Sequence, residues 1–267
     1  MTTIDPAHVA ALLVEAAERF ILPRYRALED HEIRSKSRPN DLVTQADLDV
    51  EEFLSAVLPP LRPGSVVLGE EGAARDPSLL SLLADESRPV WIVDPVDGTH
   101  NFVHHKEEFG VLLALVVEGV VRLSWVYDVP GRRMAIAERG SGAFLDGARL
   151  RVAPAADAAG MTGFANPQFF PKAYRDHLRA AGQKIAKWES LHCAAHEYLR
   201  VAEGSAQFAL YSRLKPWDHA AGTLLVEEAG GVARLWSGET YRPAAVNVGL
   251  IAAASEDNWR QCHDLYI

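Results

Sequence analysis

Cysteine is scarce in this chain: Cys193 and Cys262 are the only two, and they stand far apart. The disulfide framework of a small secreted domain needs more of them at closer spacing, so a reducing cytoplasm is the expected compartment. Long apolar runs are missing as well. The longest, Val111 to Val117, falls well short of the roughly 20 residues that a membrane-spanning helix needs. The opening stretch MTTIDPAHVAALL carries no basic residues ahead of its apolar ones and soon meets Glu15, Glu18 and Arg19, which does not describe a secretion signal. Positive charge is in deficit: 27 Lys and Arg against 36 Asp and Glu leave a formal charge of -9, which offers no broad footprint for nucleic acid or for an anionic membrane. Repeats and low-complexity segments are absent. With 48% hydrophobic and 24% charged residues, the composition is that of a folded globular protein rather than a disordered or fibrous one.

Asp5-Pro6 marks a helix start, with Val9, Leu12, Leu13, Ala16, Ala17, Phe20 and Ile21 at helical spacing, and Pro23 kinks or ends that helix. A polar loop over residues 31–40 precedes a second helix with Val50, Phe53, Leu54, Val57 and Leu58 on one face. Val66-Val67-Leu68 and Val90-Trp91-Ile92-Val93 read as buried strands, each ending in acidic residues, with a surface excursion and a short Leu-rich helix between them. Val111 to Val117 and Val120 to Tyr127 form a hairpin pattern around Glu118-Gly119, and strands follow near Met134 to Glu138 and Arg149 to Val152. Beyond Pro154-Ala155-Ala156-Asp157 strands and helices alternate. A strand near Met161 to Phe164 is followed by a helix over Pro171 to Ala181 and a longer one from about Glu189 to Glu203. A closing helix, His219 to Ala229, ends at Gly230-Gly231, with short strands around Val232 to Trp236 and Gly249 to Ala254. The expected division is an N-terminal α+β part, residues 1–153, with a large antiparallel sheet and most of the acidic loops, and a C-terminal α/β part, residues 154–267.

Three distant acidic segments carry the chemistry: Gly69-Glu70-Glu71-Gly72, then Trp91 to Phe102 (WIVDPVDGTHNF), then Lys215 to Gly222 (KPWDHAAG). Asp-Pro and Asp-Gly are strong turn dipeptides, and alone Asp94-Pro95-Val96-Asp97-Gly98-Thr99 would read as a turn. A buried strand, however, delivers Asp94 and Asp97 to one tight loop, where close carboxylates repel unless a cation lies between them. The same strand-then-acid pattern recurs at Glu70-Glu71. Asp218 suits the cap of a helix beginning near His219, and Asp41 and Asp47 stand similarly before the second helix.

Four motifs, in order, resemble those of the inositol monophosphatase family, within the metal-dependent, lithium-sensitive sugar phosphatases. They are Asp41-x-Val43-Thr44-x-Ala46-Asp47, Gly69-Glu70-Glu71, Asp94-Pro95-Val96-Asp97-Gly98-Thr99-x-Asn101-Phe102, and Trp217-Asp218-x-Ala220-Ala221-Gly222 with Glu228-Ala229-Gly230-Gly231. The resemblance spans nearly the whole chain and implies a layered αβαβα sandwich of α+β type, a homodimer, and two or three Mg2+ ions. It implies that Glu70, Asp94 and the Val96 carbonyl hold a first magnesium, that Asp94, Asp97 and Asp218 hold a second, and that Glu70 touches a weaker third. It further implies that a water activated by metal, Glu70 and the Asp47–Thr99 pair attacks phosphorus in line, while the Gly98 and Thr99 N–H groups hold the phosphate. Lys36 matches a lysine near the outer metal. Substrate contacts fall to Asp97, Gly98, Thr99, Ala194, Tyr211 and Asp218.

The chain departs from the inositol-type pattern in places. Tyr211 stands where a glutamate usually binds substrate hydroxyls, His192-Cys193 replaces Gly-Ser or Gly-Thr, and His100 replaces a small polar residue. Arg213 reads as a surface residue or as a contact for a second anion. His104-His105 and His192-Cys193-x-x-His196 raise a zinc site, discounted because no second cluster matches them. The expected function is hydrolysis of a small polyol or sugar monophosphate, inositol monophosphate first. Fructose 1,6-bisphosphate, histidinol phosphate, bisphosphate nucleotides, and a non-catalytic role as a binding partner are the alternatives.

Overall fold

Pro6 opens the first helix as its sequence predicts: the Asp5 carboxylate accepts the Ala7 N–H at 2.9 Å, and α1 (Pro6–Ala16) runs into a π-helical turn that ends at Ile21. The computed structural model describes residues 4–35, 42–245 and 248–267. Lys36 and Asp41 lie outside the described residues. A short ribbon, β1 (Ile33–Ser35) against β2 (Leu42–Thr44), leads into α2 (Gln45–Val57).

The first sheet is built from β3 (Val66–Gly69), then, after α3 (Glu70–Arg75), from β4 (Val90–Asp97) and, after α4 (Thr99–Val103), from β5 (Gly110–Val117), β6 (Val120–Asp128), β7 (Arg133–Glu138), β8 (Gly142–Leu145) and β9 (Ala148–Arg149). Its seven strands lie in sequence order; β3 and β4 are parallel and every later pair is antiparallel. Glu118 and Gly119 turn the β5–β6 hairpin with φ of 54° and 69°, as the turn pattern predicts. The strand expected over Arg149 to Val152 pairs only at Ala148–Arg149.

The second sheet draws on β10 (Thr162–Ala165), β11 (Lys187–Glu189), β12 (Phe208–Tyr211), β13 (Val232–Leu235) and β14 (Leu250–Ala253), in the order β11-β10-β12-β14-β13. Between and after them come α5 (Lys172–Gly182), α6 (Ala194–Ala202), α7 (Pro216–Glu228) and α8 (Glu256–Tyr266). The helix expected from about Glu189 starts only at Ala194, because Lys187–Glu189 pairs with β10 and His192 takes a left-handed φ of 53°. The helix expected from His219 starts at Pro216, since proline suits the first helical position. It is also not the closing helix: α8 follows it, with the Ser255 hydroxyl accepting the Asn258 N–H.

Side-chain alternation assembles five layers. Trp91 and Val93 of β4 face α1 and α2, where they meet Val9, Leu13, Val50 and Leu54. Ile92, between them, faces the other way, with Tyr198, Leu199, Leu224 and Leu225 of α6 and α7. Leu250 and Ala252 of β14 reach the same α6–α7 layer from the second sheet, while Ile251 and Ala253 face α5 and α8 through Leu178, Trp259 and Tyr266. The result is the expected αβαβα sandwich, with two helices serving as its shared middle. Both indoles at the first interface are hydrogen-bonded: Trp125 donates to the Pro6 carbonyl at 3.0 Å and Trp91 to Ser65 at 3.1 Å.

Two features hold the middle layer. A methyl group on Gly222 of α7 would overlap the Tyr198 ring of α6, so the helices approach as closely as a missing side chain permits. Tyr198 stacks on Tyr211 at 5.3 Å. Beside that stack lies Glu197, fully buried, accepting the Leu191 N–H at 3.0 Å and the Ser190 hydroxyl at 3.3 Å and facing the Tyr211 hydroxyl. Burial pushes its carboxyl up from 4.5 to about 7, against the opposing pull of the Leu191 N–H.

Gly222→Ala is expected to cost about 1–3 kcal/mol through overpacking, despite alanine's better helix propensity; an unchanged melting temperature would contradict the close approach. For Glu197, the folded state keeps a proton that the unfolded state loses above 4.5, so its contribution to stability is complete below that value and is lost as pH rises through about 7. Glu197→Gln has no such proton to lose. Its melting temperature relative to the parent should therefore climb between pH 5 and pH 8, and a constant difference would show that Glu197 does not titrate in the fold.

Candidate active site

Parallel pairing brings the acidic ends of two strands together. Gly69 lies opposite Val93, so Glu70 and Asp94 follow on neighbouring strands at the same edge. Helix α7 lies on this sheet, and its first turn adds Asp218. One oxygen from each of Glu70, Asp94 and Asp218 lies within 4.8 Å of the other two, and this is the one such convergence of His, Cys, Asp or Glu among the described residues. Asp218 is the third residue of α7 rather than its cap; Lys215 holds the cap position, with its ammonium 3.3 Å from Glu70. Three hard oxygen donors suit a magnesium-, manganese- or calcium-type ion and not zinc, which prefers nitrogen and sulfur. None of the histidines raised as zinc ligands joins the group. His196 instead contacts Asp128 at 3.4 Å and the Phe109 carbonyl at 3.3 Å.

The loop after β4 is shaped by an irregularity in pairing: Asp94 faces Leu112 and Asp97 faces Gly110, so three steps on one strand match two on the other. Pro95, with no N–H, costs no ladder bond there. Gly98 then adopts φ 84°, and a Cβ would come within 2.7 Å of the Glu108 carbonyl, which leaves glycine as the residue that fits. Thr99 follows, its hydroxyl 2.9 Å from the Val96 carbonyl and 3.2 Å from Asp47. One hydroxyl proton serves two acceptors, and it can be passed to the carboxylate.

Helix α2 controls two of these groups from one face. Asp47 accepts the Thr44 N–H at 2.8 Å and the Thr44 hydroxyl at 2.6 Å on Oδ2, which leaves Oδ1 to face Thr99. One turn later, Glu51 accepts the Glu71 and Gly72 N–H groups at 2.8 and 2.7 Å and so fixes the start of α3, where Glu70 sits. Any side chain on Gly69 would overlap the Glu51 carboxylate. Burial pushes the Glu51 carboxyl up, and those two N–H groups pull it down. The spacing of Asp47 and Glu51 by four residues was visible in the sequence, but the contact with α3 was not.

Asp97 stands apart from the three-carboxylate group. Its Oδ2 accepts the Ala195 N–H at 2.5 Å and the Cys193 thiol at 3.1 Å, where the start of α6 favours a negative charge. Burial raises its pKa, and the Ala195 N–H opposes that rise. Ala194 is half-buried beside this contact. Tyr211 turns into the buried stack with Tyr198, with its hydroxyl beside Glu197. His219 is also below the site: its Nε2 lies 3.2 Å from the Arg213 carbonyl and its Nδ1 3.0 Å from the Tyr198 hydroxyl. Burial lowers its pKa to about 3, so it is a neutral imidazole that donates through Nε2 and accepts through Nδ1.

No helix among the described residues is long and apolar enough to cross a membrane. The signature of the inositol monophosphatase family matches residues 5–267. A Bacillus subtilis inositol-1-monophosphatase is 31% identical over 215 residues, 78% of each chain. The Escherichia coli K12 protein named Nus factor SuhB is 30% identical over 238 residues, 86% of this chain and 85% of its own. A solved structure described as 2'AMP-bound SaIMPase-II superposes with a TM-score of 0.80 at 27% identity, covering 97% of this chain and 93% of that one. On the signature that covers its length, the strand-end acids and the five-layered fold, the chain belongs to the inositol monophosphatase family.

Proposed function

We propose that the chain is a magnesium-dependent phosphatase that hydrolyses a phosphate monoester of a small polyol or sugar, inositol monophosphate among them. The observation that carries this reading is the convergence of Glu70, Asp94 and Asp218 within 4.8 Å, next to a Thr99 hydroxyl held at 3.2 Å from Asp47. Glu70, Asp94 and the Val96 carbonyl would hold one ion, and Asp94, Asp97 and Asp218 a second. Bound magnesium supplies positive charge against the phosphate dianion and the departing alkoxide and lowers the pKa of water. The residues do the rest. Glu70 and the Thr99–Asp47 pair orient the attacking water and take its proton, with Thr99 as relay. The Gly98 and Thr99 N–H groups hold the phosphate, an approach that a bare glycine permits. Ala194 and Tyr211 border the substrate's far side, Tyr211 with its hydroxyl turned towards the buried Glu197.

The Escherichia coli relative is named a Nus factor rather than an enzyme, but a protein serving only as a partner has no need of this set of carboxylates and hydroxyl together. Hydrolysis of phosphate monoesters is among the slowest uncatalysed reactions known, which is the demand such a set meets.

Phosphate release should be measured from inositol 1-phosphate, fructose 1,6-bisphosphate, histidinol phosphate and adenosine 3',5'-bisphosphate, with magnesium and with a chelator. Release that needs magnesium is expected from at least one. Asp94→Asn should fall to the chelated level while melting within a few degrees of the parent; full turnover in that variant would sink the ligand assignment. Glu51→Gln keeps one acceptor but turns an amide N–H towards a backbone N–H. It is expected to raise the magnesium concentration for half-maximal activity about 10–100-fold, and an unchanged magnesium dependence would rule out a positioning role for Glu51.

A further inference from the structure

Beside the loop that carries Thr99 lies a group of imidazoles that the chemistry above does not use. His100 follows Thr99 directly, and its ring stacks on that of His104 at 4.1 Å. The ring of His192, from the loop ahead of α6, lies 6.3 Å from His100, and its Nδ1 is 3.3 Å from the Asn166 carboxamide nitrogen. Lys106 acts on both His100 and His192. We propose that His100, His104, His192 and Lys106 form a subsite for a second anionic group of the substrate, a phosphate or a carboxylate; this rests on the phosphatase reading above.

Four observations converge on it. The electrostatics are of one sign: among the described residues the groups acting on His100 are His104, His192 and Lys106, and the group acting on His192 is Lys106, with no carboxylate among them, in a chain of net charge -9. An anion placed there would meet an ammonium and imidazole N–H donors. The arrangement is also fixed in advance. Asn101, 1% exposed, donates to the Glu108 carbonyl at 2.8 Å and to the Leu191 carbonyl at 2.7 Å, tying the segment that bears His100 and Lys106 to the one that bears His192. His192 is exposed and holds a left-handed φ of 53°, and its ring is placed by the Asn166 carboxamide beside it. Finally, the imidazole nitrogens do not converge as metal ligands do: the one convergent group among the described residues is the acidic one.

The expected substrates are therefore sugar bisphosphates or phosphorylated acids, in which the cleaved phosphate sits on the Gly98–Thr99 loop and the second anion on the histidines. A neutral polyol monophosphate would leave the histidines idle.

Matched pairs test this. Fructose 1,6-bisphosphate against fructose 1-phosphate adds a phosphate, and 3-phosphoglycerate against glycerol 3-phosphate adds a carboxylate, so the pair that shows the preference identifies the anion. The wild-type kcat/KM should favour the second-anion member of one pair by about tenfold or more, the worth of a charge-assisted hydrogen bond. Lys106→Ala and the double change His100→Ala with His192→Ala should bring that ratio towards unity, mainly through KM. Because both members are compared on the same protein, partial loss of folded enzyme cancels. Equal kcat/KM within both pairs, or a preference that survives both variants, overturns the subsite. The same pairs titrated calorimetrically into Asp94→Asn protein separate the two readings. A binding preference that is lost on adding Lys106→Ala supports the subsite even if wild-type protein releases no phosphate, in which case it is the phosphatase reading that fails.

Discussion

Carboxylates gathered within a few ångströms repel one another, and everything around Glu70, Asp94 and Asp218 serves to hold them there nonetheless. The constraint is met by backbone rather than by flexible side chains. The single parallel pairing in the first sheet aligns two strand ends, and a helix that begins at a proline delivers the third acid from its first turn. Around that trio a second set of carboxylates grips main-chain N–H groups: Glu51 grips the start of α3, Asp97 the start of α6, and Asp47 the Thr44 N–H at the start of α2. Acid clamps therefore orient the acid trio, and at each helix start the N–H groups and the dipole offset part of the cost of burying a carboxylate.

Much of this could be read from the chain. Val66 to Leu68 and Val90 to Val93 announce buried strands, and acids placed straight after two such strands are hard to explain without a cation. The αβαβα layering came from family resemblance, since periodicity in β4 shows that Trp91 and Ile92 face apart but not what each one meets. Where reading failed, two local rules competed. Asp218 looks like a helix cap, yet Pro216 two residues earlier claims the first helical position, and proline prevailed because its fixed φ and missing N–H are suited to nothing else nearby. The helix expected from Glu189 broke at His192, whose left-handed backbone no single-sequence rule foretells.

What stayed illegible depends on contacts between distant segments. Glu51 and Glu197 are unremarkable letters in their own helices, and Asn101 belongs to a motif that does not say what it touches; each acquires its role from a partner 20, 6 or 90 residues away. Tyr211 illustrates the same limit. Its position in the motif pointed to the substrate, and nothing in the sequence signalled that its ring would stack on Tyr198 or that its hydroxyl would lie beside Glu197.

The middle layer of α6 and α7 has one more consequence. Both sheets bury a face against the same two helices, and the first turns of those helices supply Asp218 and the N–H that grips Asp97. Fraying of α7 would uncover both sheets at once, so the acidic corner cannot open through that helix without disturbing both cores. Its backbone amides should exchange with solvent only through events close to global unfolding, which places the acids of this site in the most slowly opening part of the molecule rather than in a mobile rim.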